Sequence, residues 1–231
     1  IIADTIIRDR TIMALYFKNK IVRYPKRNLN GGVVMKLSTR RLVIIGMLGA
    51  ISIVLGLTPL GFIPIPFSPV RATIMHIPVI IGTIMEGPFV GFCVALVFGA
   101  TSMYQAATNP TPVSFVFLDP LVAIVPRLLI AVISHYAYTG VKRALSQKDE
   151  KMAIRVSSGI AAGLGTFTNT AGVLGMIYLR HGAPYGEALG ISPEGVGAFL
   201  LGVGATNGIP EIIVAILIVV PVIGALKKMY K

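Results

Sequence analysis

The fold class is decided by the stretch RRLVIIGMLGAISIVLGL, residues 40–57. Its apolar part approaches the roughly 20 residues that an α-helix needs to cross the hydrocarbon core of a bilayer. Similar stretches recur at approximately residues 42–57, 70–85, 89–104, 118–138, 152–179 and 206–226. We therefore predict an all-α polytopic membrane protein with six transmembrane helices, some of them short or irregular.

The composition supports this interpretation and excludes other classes of protein. Of 231 residues, 55% are hydrophobic and 13% are charged, and the mean hydropathy is +0.81. A single cysteine, Cys93, cannot form a disulfide within the chain. The net charge of +12 divides into +8 for residues 1–41 and +4 for residues 42–231. Because the basic residues belong to the ends and loops, we expect no nucleic-acid partner.

The positions of the basic residues predict the orientation, because lysine and arginine concentrate in cytoplasmic loops. They precede the first span, join the fourth to the fifth and follow the sixth: Lys36, Arg40, Arg41, Lys142, Arg143, Lys148, Lys151, Arg155, Lys227, Lys228 and Lys231. The opposite connections, 58–69, 105–117 and 180–205, contain Arg180, with Arg71 at a boundary. We expect both termini in the cytoplasm.

Polar and ionisable side chains within the predicted spans gather toward the outer side of the membrane. A charged residue at mid-bilayer costs roughly 2.5–3.5 kcal/mol on insertion scales, so each one needs a partner or a role. The outer half of the spans contains Arg71, His76, Tyr104, Asp119, Asn169, Tyr178, Asn207 and Glu211, and Arg127 lies deeper. This clustering predicts a polar pocket that opens to the outside, rather than a pore.

Each of these residues also has a structural interpretation. Arg127 could form an ion pair with Asp119 or Glu211, or its planar guanidinium could bind a carboxylate or phosphate. The imidazole and the two amides could make interhelical hydrogen bonds, although an amide also suits a ligand of mixed polarity. The three histidines lie too far apart in the predicted topology for a metal site. We expect no metal and no cofactor in this chain.

Small residues recur at four-residue spacing, which allows helix backbones to approach closely in lipid. The stripes are Gly46 and Ala50 in the first span, Gly91, Ala95 and Gly99 in the third, and Gly159 and Gly163 in the fifth. They favour either packing within the bundle or a docking face for another membrane protein.

Sequence motifs of enzymes are missing from the chain. It has no Gly-x-Ser-x-Gly elbow, no His-Glu-x-x-His pair and no Gly-x-x-x-x-Gly-Lys phosphate loop. We expect no enzymatic activity, so uphill transport would need an ion gradient or a partner that hydrolyses ATP.

Residues 36–231 resemble the substrate-binding S components of energy-coupling factor (ECF) vitamin transporters. The similarity lies in Ser38-Thr39-Arg40-Arg41 before the first span, in Ile-Gly-Met-Leu-Gly-Ala-Ile-Ser at 45–52, and in six spans without an ATP-binding motif. Gly46-x-x-x-Ala50 is similar to the Ala-x-x-x-Ala motif of the family. Three segments resemble the pantothenate-specific branch: 76–82, 118–127 and 165–170.

This resemblance implies a mechanism. An S component takes up its vitamin from outside, docks on a transmembrane T subunit driven by two ATP-binding cassette ATPases, and topples to release the vitamin inside a prokaryotic cell. Arg127 would bind the carboxylate, and Asn169, Asn207, His76 and Tyr178 would make polar contacts. The stripes of the first and third spans would dock, and residues 58–69 would form an outer lid.

Alternatives remain open at this stage. The ligand could be a vitamin of the pyridoxine or hydroxymethylpyrimidine type, or the chain could be an ion-coupled carrier that works alone. An intramembrane enzyme or assembly factor could use the same pocket. For the domain organisation, we expect a leader or mobile arm at 1–34 and a six-helix transmembrane substrate-binding domain at 35–231.

Overall fold

The structure is a computed structural model, and it describes residues 38–63 and 72–229. The helices are α1 (Thr39–Leu57), α2 (Ile77–Glu86), α3 (Pro88–Thr108), α4 (Pro120–Ala123), α5 (Val125–Ala144), α6 (Glu150–Leu189) and α7 (Val196–Met229). Two short strands, β1 (Phe62–Ile63) and β2 (Ala72–Thr73), pair antiparallel between α1 and α2. Single 3-10 turns occupy Pro59–Gly61, Ser114–Leu118 and Pro193–Gly195. The predicted leader or arm at 1–34 lies outside the described residues.

Five helical segments in the described part of the chain are long and apolar enough to cross a membrane: Thr39–Leu57, Pro88–Thr108, Pro120–Ala144, Glu150–Leu189 and Pro193–Met229. The helical class and the apolar segments of the prediction are confirmed. The sixth segment, α2, is apolar but has only ten residues. At 1.5 Å per residue it spans about 15 Å, half of a typical hydrocarbon core.

The prediction of one irregular helix over 70–85 was therefore wrong for residues 72–76, which are not helical. Residues 72–73 form β2, and a turn at Met75 and His76 leads into α2, which has Pro78 in its first turn. Proline lacks an amide hydrogen and fits the start of a helix, where that group has no helical partner. The helix therefore begins late and is short.

The last two helices extend beyond the apolar stretches that predicted them. Residues 180–205, predicted as a connection, are helical up to Leu189 and again from Val196. α6 ends where Gly190 adopts a left-handed φ of 68° and Ile191 donates its N–H to the Gly186 carbonyl at 2.8 Å. The error arose because hydropathy marks the lipid-facing part of a helix, whereas capping residues mark its end.

Two breaks interrupt the long helices. His181 has non-helical angles (φ −134°, ψ 16°) inside α6. Pro184 follows three residues later and cannot donate to the Arg180 carbonyl, which accounts for a kink at this point. The predicted span 118–138 is likewise divided at Ile124, between α4 and α5, where Pro126 lies in the first turn of α5.

The core of the bundle surrounds α2, most of whose residues are buried, including Val79 and Ile80. α2 turns directly into α3 at Gly87, whose φ of 95° is accessible mainly to glycine. α1 instead exposes much of its apolar surface, including Leu42, Val43, Met47, Ile51 and Val54.

The small-residue stripes occupy two different environments. Gly91 and Gly99 are buried, and an added Cβ would lie 2.9 Å from the Ala131 Cβ and 2.8 Å from the Ala123 carbonyl oxygen, respectively. Ala95 is also fully buried. Packing within the bundle is thus the role that the structure gives these three residues. Gly46 and Ala50 lie on α1 and have no such neighbours: Gly46 has nothing within 4 Å and Ala50 is exposed.

We expect Gly91→Ala to destabilise the protein. The new methyl group would collide with the Thr83 hydroxyl and the Ala131 methyl, which hold α2 and α5 against α3, and overpacking of this kind costs about 1–3 kcal/mol. Thermal unfolding of the purified protein in detergent would measure the loss. Gly140→Ala in α5 is the matched control, because nothing lies within 4 Å of that position. Equal stability of the two variants would contradict the packing role.

Candidate functional site

Several polar side chains meet inside the bundle, away from solvent. Thr166, Asn169 and Thr170 share one face of α6, since their spacings of three and four residues match the helical repeat. Asn207 and Glu211, four residues apart, share one face of α7 for the same reason. His76 precedes α2 and Arg127 lies in the first turn of α5. The exposed fractions are 0% for His76, 5% for Arg127, 6% for Asn169, 3% for Asn207 and 4% for Glu211. We call these seven residues the polar cluster.

Glu211 connects three elements of the fold. One carboxylate oxygen, Oε1, accepts the backbone N–H of Thr73 in β2 at 2.6 Å. The other, Oε2, accepts the hydroxyl of Thr170 in α6 at 2.7 Å. Because buried carboxylates are costly unless hydrogen-bonded, these two contacts explain how Glu211 is accommodated. They also fasten β2 to the two long helices.

Arg127 lies between two aromatic rings. Its guanidinium carbon is 5.1 Å from the centre of the Phe98 ring and 5.5 Å from that of Phe117. Nη1 donates to the Val122 carbonyl at 2.7 Å, whereas Nε has no hydrogen-bond partner among the described residues. Glu211 is close enough for an electrostatic interaction with Arg127.

The geometry does not match the alternative in which Arg127 is neutralised by a direct ion pair. Within residues 38–63 and 72–229, Asp119 forms its ion pair with Arg180 and also contacts His181. Glu211 interacts with Arg127 only through space, since its oxygens accept from Thr73 and Thr170. The guanidinium is therefore buried without contact to a carboxylate of the described residues, and its Nε–H has no partner among them.

His76 and Asn169 also have unused hydrogen-bonding capacity. Nε2 of His76 is 2.9 Å from the Thr166 hydroxyl of α6. In the part of the chain that the structure describes, the other ring nitrogen, Nδ1, and the Asn169 Oδ1 have no partner. A buried polar atom without a partner costs about 1–3 kcal/mol. These atoms, together with Arg127 Nε, are suited to a ligand that carries an anion and other polar groups.

Other predicted site residues lie elsewhere. Tyr104 and Tyr178 are 59% and 53% exposed and do not belong to the polar cluster. The prediction assigned residues by depth along a helix, and depth does not determine which face a side chain occupies. Arg71 lies outside the described residues, as does the second half of the predicted lid at 58–69. Asp119 belongs to a second cluster.

This second cluster joins the start of α4 to the kink in α6. Asp119 caps α4 by accepting the Leu121 N–H at 2.9 Å. Its Oδ2 also accepts from Nε of Arg180 at 2.5 Å and lies 3.1 Å from Nε2 of His181. The Arg180 guanidinium and the Leu121 N–H, in that order of effect, lower the pKa of Asp119 to about 2.

Three residues of the polar cluster's surroundings were not anticipated: Thr73, Phe98 and Phe117. The first contributes a backbone group, to which side-chain identity gives no clue. The two phenylalanines are apolar, so nothing in the sequence distinguishes them from the many other apolar residues of a membrane protein. A phenylalanine near a buried arginine is a recognisable pair only once the fold brings them together.

A groove of about 680 Å³ lies between α6 and α7, and its lining includes Thr170 of the polar cluster together with Phe167, Leu174, Tyr178, Leu201 and Ile209 among others. The lining is mostly apolar and lacks a charged side chain among the described residues. It therefore offers nothing to neutralise an anion. No group of three potential metal ligands occurs among the described residues either.

Comparison with known proteins points to one family. The model of the family described as "ECF transporter, substrate-specific component" matches residues 40–223. The chain is 32% identical over 178 residues to the pantothenic acid transporter PanT of Lactococcus lactis subsp. cremoris, covering 71% of this chain and 81% of that protein. It is 29% identical over 186 residues to the pantothenate transporter PanT of Leuconostoc mesenteroides subsp. mesenteroides, covering 78% and 89% respectively.

We expect Asp119 to remain ionised at pH 3, because its pKa of about 2 lies below the ordinary value of 3.8. A lowered native pKa means that the carboxylate's contribution to folding is complete above pH 3.8 and is lost as the pH falls through about 2. Infrared spectra would show the protonated carboxyl band, assigned by its absence in Asp119→Asn. Arg180→Gln should make this band appear at higher pH. An unchanged titration in Arg180→Gln would show that the ion pair is not the cause.

Proposed function

The chain belongs to the substrate-specific components of ECF transporters, and we propose that it captures pantothenate from outside the cell for import by an ATP-driven partner module. The resemblance inferred from the sequence is thereby confirmed at the level of the family. The protein is a multi-pass membrane protein. The choice of pantothenate rests on the buried Arg127 and on the names of the two related transporters.

Arg127 carries the proposal. Pantothenate is a small anion with one carboxylate, two hydroxyls and one amide. A carboxylate can accept the Nε–H of Arg127 together with a further N–H of the same guanidinium, in the fork geometry that arginine favours. Phe98 and Phe117 flank the guanidinium and keep it away from water, so this contact would be made in a low-dielectric environment.

The remaining members of the polar cluster suit the rest of the ligand. Nδ1 of His76 and Oδ1 of Asn169 face no protein partner among the described residues and can bond hydroxyl or amide groups. We assign Asn207 to the same role because it is buried on α7, one helical turn before Glu211. Glu211 instead supports the site, because both of its oxygens accept from the protein. The proposal requires no cofactor or metal in this chain and no enzymatic step.

Neutral vitamins fit the cluster less well. A ligand of the pyridoxine or hydroxymethylpyrimidine type could bond the amides but would bring no anion to Arg127. Leaving a buried charge uncompensated is strongly unfavourable. A binding panel that includes such vitamins would reveal either of these alternatives.

We place both termini in the cytoplasm of a prokaryotic cell, since Lys142, Lys148 and Lys227 then lie on the cytoplasmic side. In this arrangement α2 and the β1–β2 pair together complete the second of six crossings. A non-helical backbone at membrane depth is tolerated where protein surrounds it, and β2 is fastened to α6 and α7 through Glu211.

Import needs partners, because the chain has no ATP-binding motif. A transmembrane T subunit and two ATP-binding cassette ATPases would supply the energy, as in other members of the family. We assign docking to the exposed face of α1 that contains Gly46 and Ala50. Small residues there would let a partner helix approach closely.

We expect Arg127→Ala to weaken pantothenate binding by about tenfold or more, since a hydrogen bond to a charged group contributes about 1.5–3 kcal/mol. The same substitution should weaken the binding of pantothenol, in which a primary alcohol replaces the carboxylate, much less. Calorimetry on the purified chain, without ATPases, would measure both ligands.

Arg155→Ala is the matched control for this experiment, because Arg155 is an exposed arginine on α6. It should bind both ligands like the wild type. Unchanged pantothenate affinity in a folded Arg127→Ala protein would remove Arg127 from the site. Tight binding of a different vitamin by the wild type would show that this vitamin, and not pantothenate, is the ligand. Absence of any binding would favour an ion-coupled carrier or an enzyme.

We expect Ala50→Leu to abolish ATP-driven uptake in proteoliposomes containing the full complex while pantothenate binding by the isolated chain persists. The larger side chain would prevent close approach of a partner helix to α1. Gly202→Leu is the control, because Gly202 of α7 is also exposed and has nothing within 4 Å. Equal uptake by the two variants would exclude the α1 face as the docking surface.

A further inference from the structure

The short segment 117–122 touches Arg127 at both of its ends. The Phe117 ring flanks the guanidinium at 5.5 Å, and the Val122 carbonyl accepts from Nη1 at 2.7 Å. The position of this segment therefore determines where the guanidinium lies. Asp119 occupies the middle of the segment and is not itself in the polar cluster.

The segment cannot hold this position through its own secondary structure. It consists of the end of a 3-10 turn and of α4, which has four residues. Helices of this length are unstable without tertiary contacts, because nucleation is unfavourable. Asp119 first stabilises the segment locally: its side chain accepts from Leu121 N, and its backbone carbonyl accepts from Val122 N at 3.1 Å and Ala123 N at 2.9 Å.

The same side chain is held from α6. Arg180 and His181 both contact Oδ2 of Asp119. Adjacent residues of a regular helix point in different directions and do not share a partner. The non-helical backbone of His181 (φ −134°) interrupts the helix at this point and accounts for the convergence of the two side chains. The kink thus serves as the anchor point for the segment that carries Asp119.

We propose that Asp119 is a positioning residue for ligand recognition: held by Arg180 and His181, it fixes segment 117–122 and so aims the Arg127 guanidinium at the ligand carboxylate. This inference rests on the proposed function. It gives Asp119 a role without ligand contact, and it makes Arg180 and His181, at the kink of α6, part of the machinery that selects an anion.

The test compares pantothenate with pantothenol in Asp119→Asn and Arg180→Gln. Asp119 is assigned no contact with the ligand. A binding defect in Asp119→Asn therefore reports that Arg180 and His181 no longer hold segment 117–122 in place. Since Arg127 acts only on the carboxylate, both variants should bind pantothenate several-fold more weakly and pantothenol nearly unchanged. Arg180→Lys should restore part of the preference for pantothenate over pantothenol. Arg155→Gln, which replaces an exposed arginine of the same helix, should bind both ligands like the wild type.

Hydrogen exchange provides a second measurement that does not depend on the ligand. In Arg180→Gln the amides of Leu121, Val122 and Ala123 should exchange faster, while those of α2 remain protected. Equal losses for both ligands, or an unchanged preference with unchanged exchange, would overturn the positioning role. If the wild type itself binds no pantothenate, the proposed function fails. Faster exchange in Arg180→Gln would then show only that the Asp119–Arg180 contact stabilises α4, and the role in ligand recognition would fail with the proposed function.

Discussion

The whole arrangement depends on keeping one guanidinium charge in an apolar interior. Arg127 is 5% exposed, and removing such a group from water costs several kcal/mol unless other interactions compensate. The structure supplies two aromatic rings, one carbonyl and a carboxylate at longer range. These groups come from three separate parts of the chain, namely α3, segment 117–122 and α7, so the environment of Arg127 exists only when these parts are packed together.

The sequence was sufficient to predict the class of fold and most members of the polar cluster. Charged and amide side chains are rare in apolar stretches, so Arg127, Asn169 and Glu211 stood out from their neighbours. The hydropathy pattern located their depth but carried little information about their direction. For this reason Tyr104 and Tyr178, at suitable depths, were placed in a site that they do not join.

Backbone irregularity was the other limit of prediction. Pro78 indicated that the second span is irregular. The pairing of Phe62 with Thr73, however, joins residues so far apart in the sequence that no local pattern predicts it. The kink at His181 was missed because Pro184, which accounts for it, had been assigned to a loop. Small-residue spacing was ambiguous in the same way: Gly91 is buried and Ala50 is exposed, although both stripes repeat every four residues.

The burial of α2 divides the apolar residues of this protein into two populations. Exposed residues such as Ile213 and Leu217 of α7 need only be compatible with lipid, so leucine, isoleucine, valine and phenylalanine are nearly interchangeable there. Val79 and Ile80 are fully enclosed by other side chains and obey the volume limits of a soluble protein's interior. During divergence, such lipid-facing positions can accumulate apolar exchanges singly, whereas α2 can change only together with the residues that enclose it.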